Sequence, residues 1–195
     1  KWNIDPLYLE KAHTSIGLYY YRDVKNLIHT DAERLTAVMI ADALNYDQKI
    51  RAYAGEAPSQ SYAEAFRRSR TSADKYFGLV SFRETERDLN ITVDLYVSSS
   101  GSKAGSFSVY RTGNDRYANA IRRIAQRISE GIPVYGVLLG RHQQEVILDL
   151  GKSDKVVIGS KFDIIPVEAL SHQSEGIGIQ YDRKNVLGTV EITEY

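Results

Sequence analysis

Hydrophobic and polar residues follow two different periods along the first two thirds of the chain. Helical spacing of apolar residues predicts three helices, over Asp31–Tyr46, Ser61–Arg70 and Asn114–Gly131. Period-two alternation or aromatic and β-branched runs predict strands between them. These strands are Leu18–Val24, Gln48–Ala54, Tyr76–Phe82, Asn90–Val97 and Ala104–Arg111. The first of them could also be the end of a helix, and its aromatic run favours the strand. The last three are separated by short polar turns, so we expect an antiparallel meander.

Start and stop signals refine the helices. Thr30 with Glu33, and Ser61 with Glu64, have the spacing of a capping box. Asn114 or Thr112 is expected to cap the third helix, which Gly131 and Pro133 end. The predicted buried stripe of the first helix is Leu35, Val38, Met39 and Leu44, and that of the third is Tyr117, Ala118, Ile121, Ile124, Ala125 and Ile128.

After about residues 129–133 the predicted elements become short and are punctuated by glycine. The expected strands there are Val134–Leu139, Glu145–Leu150, Lys161–Ile165 and Val186–Thr193. Short strands at close spacing are typical of a small barrel. The predicted fold class is α+β: an α/β sandwich with an antiparallel meander and flanking helices in residues 1–130, then a small β-barrel in residues 131–195. Residues 1–28 are either part of the first domain or a linker.

Composition excludes several classes of function. The chain has 195 residues with 25 basic and 25 acidic side chains, so its net charge is zero, whereas nucleic-acid binders usually carry excess positive charge. Without cysteine there is no disulfide, thiol nucleophile or cysteine-ligated zinc. No run of about 18 apolar residues predicts a transmembrane helix. Because the chain begins at Lys1 without a leader, we interpret it as a processed form or a fragment, and any lipid anchor would lie outside it.

The search for catalytic, cofactor-binding and metal-ligating residues predicts none, and the partner-binding residues stay unknown. His13, His29, His142 and His172 are not spaced for a helical metal pair, and the last two lie in polar loops. Glu84, Glu86 and Asp88 interleave with arginines between two strands, which favours a solvated hairpin tip. Their alternation on one side leaves acid/base chemistry or a cation site as the alternative.

Positively charged clusters are interpreted first as solvated helix faces. They are Arg67, Arg68 and Arg70 on one helix and Arg122, Arg123 and Arg127 on another, with the aromatic residues expected on the buried sides. Residues Gly113–Arg116 precede a helix, where an anion site would be natural, but Asp115 favours helix capping there.

Two segments resemble known families. Ser72–Phe77 (SADKYF), followed by paired strands and Ser100-Gly101, resembles the envelope α/β fold of the Tol-system propeller protein's amino-terminal domain and of curli-export lipoproteins, over about residues 15–130. Members usually carry Thr-Gly where this chain has Ser100-Gly101.

The second resemblance lies in residues 131–195. Segments Val134–Val137, Val146–Gly151, Gly159–Phe162 and Leu187–Val190, with Lys155-Val156, resemble the carboxy-terminal barrel of the flagellar assembly protein T family. This family has Gly-Val where this chain has Lys155-Val156, Asp where it has Ser160, and one further strand. The barrel is therefore either incomplete or closed by a partner's strand.

These resemblances imply a non-catalytic, cofactor-free scaffold of the Gram-negative cell envelope. Its location would be periplasmic or outer-membrane-associated, in a flagellar-motor or secretion-type assembly. Its partners would be envelope proteins or further copies in a ring, bound through strand edges or through tyrosines such as Tyr19–Tyr21. The alternatives are a module that binds a small ligand or nucleic acid, and a hydrolase that uses the carboxylates of Glu84–Asp88.

Overall fold

The computed structural model describes residues 14–22, 28–47, 49–151, 154, 156–172, 177 and 179–195. They divide into two compact units, one of residues 14–132 with Ile177, and one that begins at Pro133. The predicted boundary between domains 1–130 and 131–195 stays a prediction, because a compact unit need not be a domain that folds independently. Residues 14–20 form a strand of the first unit's sheet, so this part of the uncertain amino-terminal segment belongs to the fold.

A five-stranded mixed sheet forms the first unit, in the order β2-β1-β3-β4-β5. Its strands are β1 (Thr14–Tyr20), β2 (Ile50–Ala54), β3 (Tyr76–Glu84), β4 (Asp88–Val97) and β5 (Lys103–Thr112). Strand β1 is parallel to both β2 and β3, and β3 to β5 are antiparallel neighbours. The predicted meander and the α+β class are confirmed.

The three helices are α1 (Ala32–Asn45), α2 (Tyr62–Thr71) and α3 (Arg116–Gly131). Helices α1 and α3 pack together on one face of the sheet, and α2 packs against β3 on the other face. Strand β4 shows why the sheet has two faces, because its residues alternate between buried and half-buried along its length. The fully buried ones under α1 and α3 are Leu89, Ile91, Val93 and Leu95.

Two predictions about α1 are wrong in detail. Its N-cap is Asp31, at φ 67°, with no side-chain cap hydrogen bond, so Thr30 and Glu33 do not form the expected capping box. The Asp31 carboxylate instead accepts a hydrogen bond from Arg34 Nε at 2.6 Å. Leu35 and Met39 are 45% and 40% exposed. The buried stripe includes Ala37, Ile40, Ala41 and Leu44, so Leu44 is the one predicted residue that is fully buried, and the helix is turned away from Leu35 and Met39.

The caps of the other helices follow the sequence only in part. Ser61 Oγ accepts from the Glu64 N–H at 3.3 Å, as expected, but the Glu64 carboxylate accepts from the N–H of Gln60. Helix α3 has Asp115 as its N-cap, with no side-chain cap hydrogen bond, instead of Asn114 or Thr112. It ends at Gly131 as predicted, and its buried stripe contains Ala120 instead of Ala118.

The second unit consists of strand pairs. Its strands are β6 (Leu138–His142), β7 (Glu145–Leu148), β8 (Lys161–Ile164), β9 (Ser171–His172), β10 (Ile179–Gln180) and β11 (Gly188–Glu191). They pair antiparallel as β6 with β7, β8 with β11 and β9 with β10. Each strand has a single partner, so the described residues form no closed barrel, and that expectation is not confirmed. Lys155, where this chain departs from the Gly-Val of the flagellar family, lies outside the described residues.

Candidate interaction surface

The two faces of the five-stranded sheet differ in how much of them is covered. Helix α2 packs mainly against β3 and reaches β4 through Tyr62, so a large part of the sheet face that carries α2 is left open. We call this part the open face. Along each strand, the residues of the open face alternate with the buried core residues. They are Tyr53, Ser81, Asn90, Thr92, Asp94, Ser106, Ser108 and Tyr110.

An aromatic cluster fastens α2 to this face of the sheet. Phe77 of β3 stacks on Tyr96 of β4 with ring centroids 5.1 Å apart, and Tyr62 of α2 meets Tyr96 edge-on at 5.0 Å. The Tyr62 hydroxyl donates to the carbonyl of Gly101 in the β4–β5 turn. Gly101 has φ 75°, and a Cβ there would lie 2.6 Å from the Tyr62 oxygen. Glycine is therefore required at this turn, where the sequence motif has Ser100-Gly101.

Beside this cluster, three polar side chains form a hydrogen-bonded chain on β1, β2 and the loop before β3. Tyr53 Oη donates to Asp74 Oδ2 at 2.6 Å and lies 3.2 Å from Tyr19 Oη. Burial raises the pKa of the Asp74 carboxyl above its ordinary value. Burial and the bond to Asp74 also hold the pKa of Tyr53 far above its usual range. Both tyrosines therefore stay protonated and act as hydrogen-bond donors that fix the loop.

This polar contact depends on a glycine directly beneath it. A Cβ on Gly17 would lie 2.8 Å from Asp74 Oδ2 and 2.9 Å from Tyr53 Oη. The absence of a side chain at this position on β1 thus makes room for the Tyr53–Asp74 bond.

The β4 and β5 half of the open face is a ladder of polar side chains bonded across the strands. Ser108 Oγ donates to Asn90 at 3.1 Å and lies 3.0 Å from Thr92 Oγ1. Ser106 donates to Asp94 at 2.6 Å, and Asp94 also pairs with Lys103 at 2.8 Å. The hydrogen bond to Asp94 raises the pKa of Lys103. These side chains are held in place before any partner arrives.

The tyrosines named from the sequence as contacts are not the exposed ones. Tyr19 and Tyr20 are 2% and 4% exposed, because β1 is an inner strand of the sheet with both faces covered. On the face that carries α2, the exposed tyrosines are Tyr53, Tyr62 and Tyr110, at 37%, 36% and 58%.

The three candidate carboxylates of the β3–β4 hairpin are not brought together. Glu84 faces the helices, and its side chain is only 5% exposed, paired with Arg116 at 3.0 Å and with His29 Nδ1 at 2.7 Å. Glu86 is exposed in the turn. Asp88 belongs to the opposite face, because the register sets Glu84 across from Leu89. The expectation that these carboxylates are solvated on one side of the hairpin holds for Glu86 and is wrong for Glu84.

An anion site at residues 113–116, the alternative to helix capping by Asp115, is disfavoured by the position of Glu84. Arg116 directs its guanidinium to this carboxylate, so the charge that would attract a ligand is neutralised within the fold. Among the described residues no cluster of three or more His, Asp or Glu side chains could hold a metal. His142 ends β6 and is exposed, while His13 and the side chain of His172 lie outside the described residues.

Several of the clustered arginines make specific contacts, whereas the sequence predicted solvated helix faces. Arg68 pairs with Glu64, and Arg127 donates to the carbonyl of Ser108 at 2.7 Å. Arg67 and Arg70 line a shallow pocket of about 490 Å³ with Phe66 and Thr71. The Arg70 guanidinium lies over the Phe66 ring, 6.0 Å from its centroid, so an aromatic does share this basic surface, contrary to the sequence expectation.

In the described part of the chain, no helix has both the length and the apolar character needed to cross a bilayer.

Several solved structures are similar to this chain at low identity. The PelC dodecamer from Paraburkholderia phytofirmans is 19% identical, with a TM-score of 0.43 over 59% of this chain and 84% of that one. TolB from Acinetobacter baumannii is 11% identical, with a TM-score of 0.38 over 61% and 28% of the two chains. The LpoB C-terminal domain from Salmonella enterica is 12% identical, with a TM-score of 0.41 over 52% and 84%.

A likeness to TolB was expected from the sequence and is found, at low sequence identity and a low TM-score. The flagellar link that was expected for residues 131–195 finds no support in these structures. A search of the curated proteins gives no match. A family model does match, over residues 13–130, which is more than half of the chain. The chain therefore belongs to the TPASS_0648 family, of which residues 13–130 form the second domain.

Proposed function

We propose that this protein is a non-catalytic protein–protein interaction module of the Gram-negative cell envelope, periplasmic or outer-membrane-associated, and that the open face is its contact surface. The observation that carries the proposal is the half-covered sheet, where exposed tyrosines stand beside a pre-bonded polar ladder. The envelope location rests on the sequence resemblance of residues 15–130 to envelope α/β domains.

The physical argument concerns the cost of binding. Tyrosine buries a large ring while its hydroxyl keeps a polar partner, and it is enriched at protein interfaces. Side chains that are already hydrogen-bonded, such as Asp94 and Ser108, lose little conformational freedom when a partner covers them. A flat, ordered and partly aromatic surface of this kind suits a protein partner better than a small molecule, which needs a concave site.

A photo-crosslinking comparison tests this proposal. A benzophenone amino acid replaces Tyr110 on the open face or, as a matched control, Tyr46, which is 91% exposed at the end of α1 on the other side of the sheet. We expect cross-links from position 110 to a defined set of exported proteins, and none of them from position 46. Cross-linking that is equal at both positions, or absent at position 110 in folded protein, would overturn the proposal.

A substitution supplies the second readout. Tyr110→Ala removes an exposed ring from the edge of the open face, so the fold is expected to tolerate it. Truncation of an interface tyrosine commonly weakens binding by about tenfold or more. In a pull-down without cross-linking, we therefore expect the Tyr110→Ala protein to recover at least about tenfold less of the partner that position 110 had captured. Tyr46→Ala should leave that recovery unchanged.

A further inference from the structure

We infer that the outer edge of β5 is a strand-addition site for an extended, acidic segment of a protein partner. The inference rests on the proposed function as an interaction module, and it names the edge that pairs and the chemistry of the partner. Strand addition supplies main-chain hydrogen bonds for affinity, while the side chains of the added strand give specificity.

The register of the meander shows which backbone groups of β5 face outward. The Thr85 N–H donates to the carbonyl of Asp88 at 2.9 Å, so these two residues form the hydrogen-bonded pair that closes the β3–β4 hairpin. Hydrogen-bonded and non-bonded pairs then alternate along the strands. On β4 the odd-numbered residues face β5, where Ile91 is paired with Val109. The N–H and C=O groups of Ser106, Ser108 and Tyr110 consequently point away from the sheet.

These outward groups are partly unpaired and partly covered by arginines. In residues 103–112 and the other described segments, no backbone group pairs with the outward N–H groups of Ser106, Ser108 and Tyr110. The carbonyl of Ser108 accepts from Arg127 Nη1 at 2.7 Å, and that of Tyr110 accepts from Arg111 Nη1 at 3.0 Å. Both arginines are exposed, so their guanidinium groups can move aside at little cost when a strand arrives.

The opposite edge of the sheet is closed, which makes β5 the edge that can accept a strand. On β2, the side-chain amide of Asn45 donates to the carbonyl of Ala52 at 2.9 Å and accepts from its N–H at 2.7 Å. The N–H of Ile50 donates to the carbonyl of Asp47 at 2.9 Å. Asn45 thereby occupies the place of one residue of an added strand, whereas in the part of the chain that the structure describes no side chain bonds the outward N–H groups of β5 in this way.

Charge along the edge defines the partner. Strand β5 has the sequence KAGSFSVYRT, with basic residues at both ends and no acidic residue. Lys103 is already paired with Asp94 at 2.8 Å, so the positive charge offered to a partner comes from Arg111 and from Arg127 of α3, which lies at Ser108. Displaced guanidinium groups need new acceptors, and glutamate or aspartate side chains of the incoming strand would supply them. An acidic extended segment therefore fits this edge, and a basic one is repelled.

The test uses the full chain and a synthetic peptide of about eight residues with alternating glutamate and valine, acetylated and amidated. Two matched peptides serve as controls: one has lysine in place of each glutamate, and the other has N-methyl groups on alternate backbone nitrogens. Binding is followed by ¹⁵N NMR. We expect shifts and slowed amide exchange at Ser106, Ser108 and Tyr110, with Ile50 and Ala52 unchanged.

Variants separate the backbone from the charge. Ser108→Pro removes an outward N–H while the backbone hydrogen bonds of Phe107 and Val109 to β4 are kept, and we expect peptide affinity to fall at least about tenfold. Because it also removes the Ser108 hydroxyl from the polar ladder, Ser108→Ala is the matched control and should bind the peptide as the unchanged protein does. Arg127→Glu should weaken binding about tenfold at low salt and less at high salt. Arg122→Glu should not, because this exposed arginine of the same helix makes no hydrogen bond to β5 among the described residues. If Ser108→Pro fails to fold, the arginine pair and the N-methylated peptide still decide the question.

Equal binding of the acidic and N-methylated peptides, or shifts confined to β2 or to the open-face residues outside β5, such as Ser81 and Thr92, would overturn the inference. If the peptide binds nowhere while cross-linking from position 110 still captures exported partners, the edge inference fails and the proposed function stands. If the peptide shifts β5 while position 110 captures nothing, the strand-addition site stands and the open face is not the contact surface.

Discussion

Replacing Asn45 tests whether one side chain closes the β2 edge of the sheet. Its amide makes hydrogen bonds of 2.9 Å and 2.7 Å with the C=O and N–H of Ala52. A hydrogen bond of this kind contributes about 1 kcal/mol net. Asn45→Ala should lose about 2 kcal/mol from the two bonds and regain roughly 0.5 kcal/mol from helix propensity. We therefore expect the free energy of unfolding to fall by about 1.5 kcal/mol.

Urea unfolding measured with linear extrapolation would show this loss as a lower midpoint at an unchanged slope. Asp42→Ala, an exposed change on the same helix, is the control and should stay within about 0.5 kcal/mol. Because an uncovered strand edge pairs with other chains, Asn45→Ala should also self-associate more strongly than the unchanged protein in sedimentation velocity. Stability and association both equal to those of the Asp42→Ala protein would refute the reasoning.

Two further predictions concern buried carboxyl groups. Glu84→Ala leaves Arg116 without its ion-pair partner and should lower the free energy of unfolding in urea by about 2–4 kcal/mol. Glu86→Ala, in the exposed turn, should lower it by under about 0.5 kcal/mol. Similar losses for the two variants would contradict the assigned burial. Because burial raises the Asp74 pKa above its ordinary value of 3.8, the folded state binds more protons than the unfolded state there, and stability falls as pH rises just above that value. Asp74→Asn should remove this part of the slope, and parallel stability curves for the two proteins would show that the carboxyl is not perturbed.

Local sequence patterns predicted much of the first unit, because they depend on neighbours along the chain. The alternation of Asn90–Val97 gave the correct inner and outer faces of β4, and Gly131 with Pro133 ended α3 where expected. Ser61 was correctly placed as an N-cap. The exact phase of α1 escaped this reasoning, since Leu35 and Met39 have the right spacing for a buried stripe and are exposed nonetheless.

The candidate surface was beyond the reach of the sequence for a different reason. Asn45 is separated from Ala52 by only seven residues, yet no pattern marks it as an edge cap, because its role depends on β2 being the outermost strand. The pairing of Glu84 with Arg116 joins residues 32 positions apart, which no local period can reveal.

The sequence by itself predicted the three helices and four of the five strands of the first unit, the turns of the meander, and a chain without cysteine chemistry or net charge. The expected strand Leu18–Val24 shares only its first three residues with β1, which is Thr14–Tyr20. Only the tertiary structure decided that β1 lies inside the sheet, so that Tyr19 and Tyr20 are buried and Tyr110 is exposed. The physical reason is that periodicity assigns residues to faces, whereas strand order and helix placement decide which faces and edges are left to meet a partner.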